Sequence, residues 1–373
     1  MHIKEIGIYN VYKDQETATI RFDAPITILT GYNGCGKSTA LGIIHSTLSL
    51  ISGQEFAFPK TNWACEITLT DDSKLLHAKI SRAMKPNFKP LAIKPTKNEN
   101  FRISIGNYYD KIFNDTIDNS KQSDTIIQKE GQGRPSLSTN IVNIVRNSTK
   151  DDIKLTSTLY CDELFFSKDQ EYESQKLQEL DIFSENKNLD KTLLLLQKEF
   201  ISRIPTGLAP TRMMKEWKEL LEALDALPNK AKETLSEHIQ SLKRLNLQKS
   251  ESEIFLDEAN LFFKSTHREL AINDRLQLSL KTKKGEVQWY DFSKGEKTLI
   301  CLLLATHLTK NTQKVFLLDE PDLSLHLSWQ KQLLPSLQRL APNAQFIVAT
   351  HSPALVGRCE NEKIVNLAHL TRA

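Results

Sequence analysis

Apolar positions alternate with polar ones along Ile3 to Tyr12 and again along Ala18 to Phe22, a rhythm that predicts two strands. Ile26 to Thr30 follows Pro25 as a short β-branched third strand. The glycine-rich stretch Gly31-Tyr32-Asn33-Gly34-Cys35-Gly36 comes next, and neither a strand nor a helix tolerates it. Beyond it Leu41, Ile44 and Leu48 recur at helical spacing, so Lys37 to Leu50 is expected to be a helix. Residues 64–82 read as a hairpin turning at Asp71-Asp72. From Lys85 to about Lys150 the chain is polar and broken by Pro86, Pro90, Pro95, Gly131, Gly133 and Pro135, which predicts loops with short elements. Leu189, Leu193, Leu196 and Phe200 predict a helix. Two further apolar stripes, meeting at Pro228-Asn229, predict an antiparallel helical hairpin over 212–249. The C-terminal part alternates again. Leu276–Leu280 and Val287–Tyr290 read as paired strands, with helices at 295–309 and 326–340. Val315–Leu318 and Phe346–Ala349 are unbroken apolar runs, as expected of strands covered on both faces of a parallel sheet. The order is α/β.

Three of these strands end in residues that carry chemistry. Gly31 to Ser38 fits GxxxxGK[ST] and lies between a strand and a helix, where successive backbone N–H groups can converge on phosphate oxygens at a helix N-terminus. In that pattern Asn33, Gly34, Cys35 and Gly36 form the cradle and Lys37 reaches the β- and γ-phosphates. Ser38 ligates Mg²⁺, and Thr39 touches the α-phosphate. Val315 to Leu318 runs into Asp319-Glu320. The first carboxylate is placed to hold Mg²⁺ through a water, and the second to orient and deprotonate the water that attacks the γ-phosphate. Ala349-Thr350-His351 ends the next apolar strand. Parallel neighbours end on one side of a sheet, so His351 is expected near Glu320, within reach of the γ-phosphate or the attacking water. Ser293, with Glu296 three residues on, reads as the N-cap of a helix, and with Gly295 it offers a second anion site.

Composition narrows the setting. A net charge of +3, from 49 basic and 46 acidic residues, removes any whole-molecule attraction to nucleic acid, so such a site would have to be local. No apolar run approaches the roughly 20 residues of a membrane span. The N-terminus reads as a strand and not as a leader. Five cysteines without a CxxC pair argue against a disulfide framework and against a zinc site, and a cytoplasmic protein is expected.

The set GYNGCGKST, FSKGEK, LLDEPDLSLH and ATHSP, in that order, resembles the ATP-binding-cassette superfamily of P-loop ATPases, in the branch containing RecF, SMC and OLD-like proteins. The resemblance implies a head with a mixed sheet, a parallel core and flanking helices, interrupted by a largely helical insertion. Residues 1–82 and 275–373 would form the head and 83–274 the insertion. It also implies that two heads sandwich ATP as a homodimer or higher oligomer. Ser293 and Gly295 would then contact the nucleotide of the partner, and Pro321 to His326 would cross the interface. Lys294 stands where the signature usually has glycine, and His326 where transporter heads usually have Asp. The glutamine that often joins the Mg²⁺ shell has three candidates: Gln122, Gln128 and Gln132. The chain ends soon after His351, so no TOPRIM nuclease domain is expected. The arrangement is similar to the ATPase components of anti-phage systems such as Septu (PtuA) and PARIS (AriA), which work with a separate effector, a nuclease. A RecF-like repair ATPase that binds DNA directly is the alternative.

Seven basic residues and no acid lie between Ser73 and Asn98 (Lys74, Lys79, Arg82, Lys85, Lys89, Lys94, Lys97), which suits either a DNA-tracking loop or a solvated basic one. The hairpin at 212–249 suits either a docking site for a partner or an extension of the head.

Overall fold

The computed structural model describes residues 1–9, 17–52, 63–71, 74–86, 122–129, 138–146, 155–161, 164–166, 187–204, 250–310 and 314–370. The helical hairpin expected at 212–249, Gln132, and the basic residues Lys89, Lys94 and Lys97 lie outside them. The chain forms two compact units. One comprises Met1–Asp181, Lys310–Leu323 and Asn343–Ala373; the other comprises Ile182–Thr309 and Ser324–Pro342.

The first unit is built on two sheets and one buried helix. Strands β1 (His2–Tyr9), β2 (Thr17–Arg21), β4 (Trp63–Asp71), β5 (Lys74–Pro86), β6 (Gln122–Lys129) and β7 (Ser138–Arg146) form an antiparallel sheet in the order β2-β1-β4-β5-β7-β6. Two of the short elements expected within 85–150 are therefore strands, β6 and β7; the rest of that stretch after Pro86 lies outside the described residues. Ile126-Ile127 and the β-branched residues Ile141, Val142, Ile144 and Val145 lie in segments that pair as strands despite the surrounding prolines and glycines. The second sheet contains β3 (Ile26–Thr30), β8 (Thr156–Cys161), β9 (Leu164–Phe166), β13 (Lys314–Asp319), β14 (Gln345–Ala349) and β15 (Glu362–Asn366), in the order β15-β3-β14-β13-β8-β9. All its pairings are parallel except β8 with β9. Strand β8 comes from within the stretch expected as insertion and takes a place in this central sheet.

Helix α1 (Lys37–Ile51) touches both sheets and is buried nearly all round, which explains why its apolar stripe is broad. Its Leu41, Ile44 and Leu48 share a core with Ile3, Ile6 and Ile8 of β1, Ile67 of β4, Leu159 of β8 and Leu317 of β13. Gln345 at the start of β14 joins the two sheets: its amide accepts from Ile3 N–H and donates to Ile3 C=O, both at 2.9 Å. A short helix (Leu367–Leu370) succeeds β15.

In the second unit, α2 (Lys187–Ser202), α3 (Glu251–Phe263), α4 (Lys294–Leu308) and α5 (Leu327–Leu340) accompany a three-stranded antiparallel sheet of β10 (Glu269–Ile272), β11 (Leu278–Thr282) and β12 (Gly285–Gln288). Residues 289 and 290, expected as the end of a strand, turn into a 3₁₀ helix that leads to α4. Phe200, Phe255, Phe262 and Phe263 are buried here, and Trp329 donates its indole N–H to Phe262 C=O. Two ion pairs hold the start of α4: Lys297 with Asp190 of α2 at 2.6 Å, and Glu296 with Arg268. Among the described residues no helix is long and apolar enough to cross a membrane.

Candidate functional site

Register sets the site. In the parallel core, Leu29 of β3 and Asp319 of β13 both pair with Ala349 of β14, so these three strands end level with one another. Each strand end leads directly into candidate chemistry: β3 into the glycine loop, β13 into Glu320, and β14 into Thr350-His351. The carboxyl ends of such strands are where ligands collect in open α/β sheets. Asn33, Gly34, Gly36, Lys37, Ser38, Thr39, Glu320, Leu323 and His351 line a common cavity of about 890 Å³, within the range of small-molecule sites.

The loop is shaped for an anion. Gly34 and Gly36 adopt left-handed φ values of 81° and 86°, which turn the backbone toward α1. Gly31 has φ 139°, and a Cβ there would meet the Cys35 sulfur at 2.5 Å, so the buried thiol and the bare glycine require each other. Helix α1 starts at Lys37 with no side-chain cap on Gly36 and no acid in its first turn. By contrast, α3 and α4 begin with complete capping boxes from Ser250–Glu253 and Ser293–Glu296. Uncapped first-turn N–H groups carry the positive end of the helix dipole, which favours a phosphate.

Across the cavity, Lys37 Nζ lies 2.5 Å from His351 Nε2 and donates to Gly31 C=O at 3.4 Å. The His351 ring is 3.7 Å from Glu320 Oε1, and His351 N–H donates to Glu320 Oε2 at 3.3 Å. Burial, and then the negative charge of Asp322, raises the Glu320 carboxyl above its ordinary range, against the His351 N–H, the His351 ring and Lys37. A base made stronger by its surroundings suits proton abstraction. Glu320 also has φ 46°, a left-handed conformation that a non-glycine residue keeps only when its neighbours hold it.

The structure thus brings Asn33, Gly34, Gly36, Lys37, Ser38, Thr39, Glu320 and His351 together on one cavity, with Cys35 buried beneath the loop. Asp319 sits at the end of β13 one residue before Glu320, and Cys161 at the end of β8 places its sulfur 3.7 Å from Asp319 Oδ2. The fit to a hard divalent cation rests on donor chemistry. Ser38 and Asp319 offer one hydroxyl and one carboxylate, and a Mg²⁺ there would complete its shell from water and phosphate without a protein cage. No group of three or more His, Cys, Asp or Glu placed to hold a metal ion occurs among the described residues. Gln122 and Gln128 lie in β6, a strand of the antiparallel sheet, whereas β8 is the strand flanking β13 on the side away from β14.

Ser293 and Gly295 belong to the second unit. Ser293 is exposed and caps α4: its Oγ accepts from Glu296 N–H at 3.3 Å, and the Glu296 carboxylate accepts from Ser293 N–H at 2.7 Å. Gly295 is close-packed within its own chain, since a Cβ there would fall 2.5 Å from Ser324 C=O. Sequence reasoning placed Asp322 and Leu323 only within the segment Pro321 to His326; it did not foresee that Leu323 lines the cavity while 80% exposed, or that Asp322 and Thr350 form a buried pair. A second carboxylate two residues after Glu320 and a hydroxyl just before His351 were signals for the pair; nothing local marks Cys161 as the neighbour of Asp319.

Residues 26–357 match a family described as "AAA domain, putative AbiEii toxin, Type IV TA system". Over 198 residues the chain is 28% identical to the "Retron Ec83 probable ATPase" of Escherichia coli, a match covering 49% of this chain and 30% of that protein. It is 34% identical over 100 residues to the "Retron Vc95 probable ATPase" of Vibrio cholerae serotype O1 biovar El Tor, covering 24% and 20%. The "Septu protein PtuA" of Bacillus thuringiensis is 27% identical over 110 residues, covering 26% and 27%. The matches span less than a third of the length of each of these relatives.

Proposed function

This chain belongs to the AAA domain family that its residues 26–357 match, and from that premise we propose that it is an ATP-binding and ATP-hydrolysing molecular switch of bacterial anti-phage defence. The observation that carries the proposal is the meeting of an uncapped, glycine-shaped helix N-terminus with Lys37, Glu320 and His351 on one cavity. The names of the retron and Septu relatives support the defence setting.

The substrate is ATP, and the products are ADP and phosphate. Residues Asn33 to Gly36 and the first turn of α1 cradle the phosphates. Lys37 leaves Gly31 C=O and His351 for the β- and γ-phosphates, which frees the imidazole to hydrogen-bond the γ-phosphate or the attacking water. Glu320, the strengthened base, takes that water's proton. Thr39 contacts the α-phosphate. Ser38 and Asp319 would hold Mg²⁺, which supplies charge neutralisation on the phosphates. Positioning and electrostatics then account for most of the rate, as in other phosphoryl transfers.

Two copies close on two nucleotides, with the exposed Ser293 and the backbone at Gly295 of one copy facing the phosphates bound by the other. Residues 1–82 and 275–373 form the core of the head, and the helical part of 83–274 carries its opening and closing to a separate effector, a nuclease. Release of phosphate from ATP by the purified chain, lost in Lys37→Ala together with binding of a fluorescent ATP analogue, tests the assignment. Hydrolysis that survives Lys37→Ala would overturn it.

A further inference from the structure

We propose that Asp322, acting through Thr350, is a positioning residue that holds His351 in place against Glu320; the proposal rests on the ATP-hydrolysing reading of the same site. Asp322 and Thr350 are 5% and 1% exposed, so their contact is sealed from water. The Thr350 hydroxyl donates to Asp322 Oδ1 at 2.7 Å, and the same oxygen accepts from Ser352 N–H at 2.9 Å. Its one proton is therefore committed to the carboxylate, and the residues on either side of His351 are both tied to one hydroxyl. Thr350 N–H also donates to Leu29 C=O at 3.3 Å, in the strand that leads into the glycine loop.

Two further bonds join the same two segments. Glu320 N–H donates to Ala349 C=O at 2.9 Å, and His351 N–H donates to Glu320 Oε2 at 3.3 Å. The second is long, and Glu320 carries a left-handed φ. A short, buried, charge-assisted bond is the strong member of the set. A buried carboxylate is costly unless it is hydrogen-bonded, and the hydroxyl that bonds Asp322 belongs to the segment that carries His351. Asp322 therefore acts on the chemistry through Thr350 and not by touching a reacting atom.

Thr350→Val removes the hydroxyl while keeping the branched shape, Thr350→Ser restores it, and Asp322→Ala removes the acceptor. We expect Thr350→Val to lower kcat about tenfold to a hundredfold, the scale of a misplaced catalytic group, while KM for ATP and affinity for a fluorescent ATP analogue change less than about twofold. Thr350→Ser should recover most of the loss, and the double variant should be no slower than Asp322→Ala alone. Turnover by Thr350→Val equal to that of the unaltered chain, equal impairment in Thr350→Ser, or independent multiplication of the two losses would each overturn the proposal. If thermal melts show Asp322→Ala unfolded, the Val and Ser comparison decides. Absence of hydrolysis by the unaltered chain would remove the ATPase reading itself, and this proposal with it.

Discussion

Glu320 is a carboxylate whose surroundings oppose one another: burial and Asp322 favour its protonated form, while the His351 N–H, the His351 ring and Lys37 favour the charged one. Burial wins, which leaves a group with higher proton affinity than an exposed glutamate and a position beside the cavity. Replacing it by Gln keeps size and hydrogen bonding while removing the base. Glu320→Gln is expected to bind ATP with unchanged affinity and to lose hydrolysis by about a hundredfold or more, measured by phosphate release alongside analogue binding. A variant that turns over normally would take Glu320 out of the chemistry. The identity of this residue could be read from the chain, because an apolar run ending in two carboxylates is a pattern of local sequence. Its raised proton affinity could not, since that depends on what folding places around it.

At the scale of elements, close approach decides what Gly295 is for. Gly295 opens α4, and the space its side chain would fill holds Ser324 C=O, while Ser324 Oγ donates to Thr298 Oγ1 at 3.2 Å. Gly295→Ala is therefore expected to lower thermal stability by about 1–3 kcal/mol, because backbone and not a flexible side chain must move. A melt superimposable on that of the unaltered chain would refute the close packing. Helix α1 offers a pH test. His45 points into the first unit, 2.8 Å from Ser157 Oγ of β8, and burial pulls its pKa down from 6.5 to about 4. Between those values the unfolded chain binds a proton that the folded chain excludes, so stability falls as pH drops through that window. His45→Gln should flatten this part of the stability profile between about pH 6.5 and 4 in denaturant titrations. Periodicity in the chain marked α1, α2, α4 and α5, and the apolar runs marked β3, β13 and β14. It did not single out β6 and β7, because the turn-forming residues around them outweigh the short strand pattern; β7 pairs along β5 and β6 along β7.

For the whole molecule, the proposed pairing of heads predicts a change of size. Glu320→Gln with ATP and Mg²⁺ should elute as a dimer or larger on size exclusion with light scattering and return to the nucleotide-free species when the nucleotide is removed. A particle unchanged by ATP would count against two copies sharing nucleotide. Direct DNA binding, the alternative function, predicts an affinity that falls steeply with salt, as release of counterions requires.

The linear order of residues determined local features: the glycine loop between a strand and a helix, the acids at the end of one apolar run, the histidine at the end of another, and the α/β class. These are legible because strand, turn and helix preferences act over a few neighbours. Beyond the expected nearness of His351 to Glu320, the tertiary structure alone decided adjacency. Register in the parallel sheet levels Leu29, Ala349 and Asp319, seats β8 and Cys161 beside β13 from a stretch without any motif, and closes Thr350 on the buried Asp322. Such contacts join residues far apart along the chain. They exist because burial of apolar strands brings their ends together, and no pattern of near neighbours encodes which polar groups will meet there.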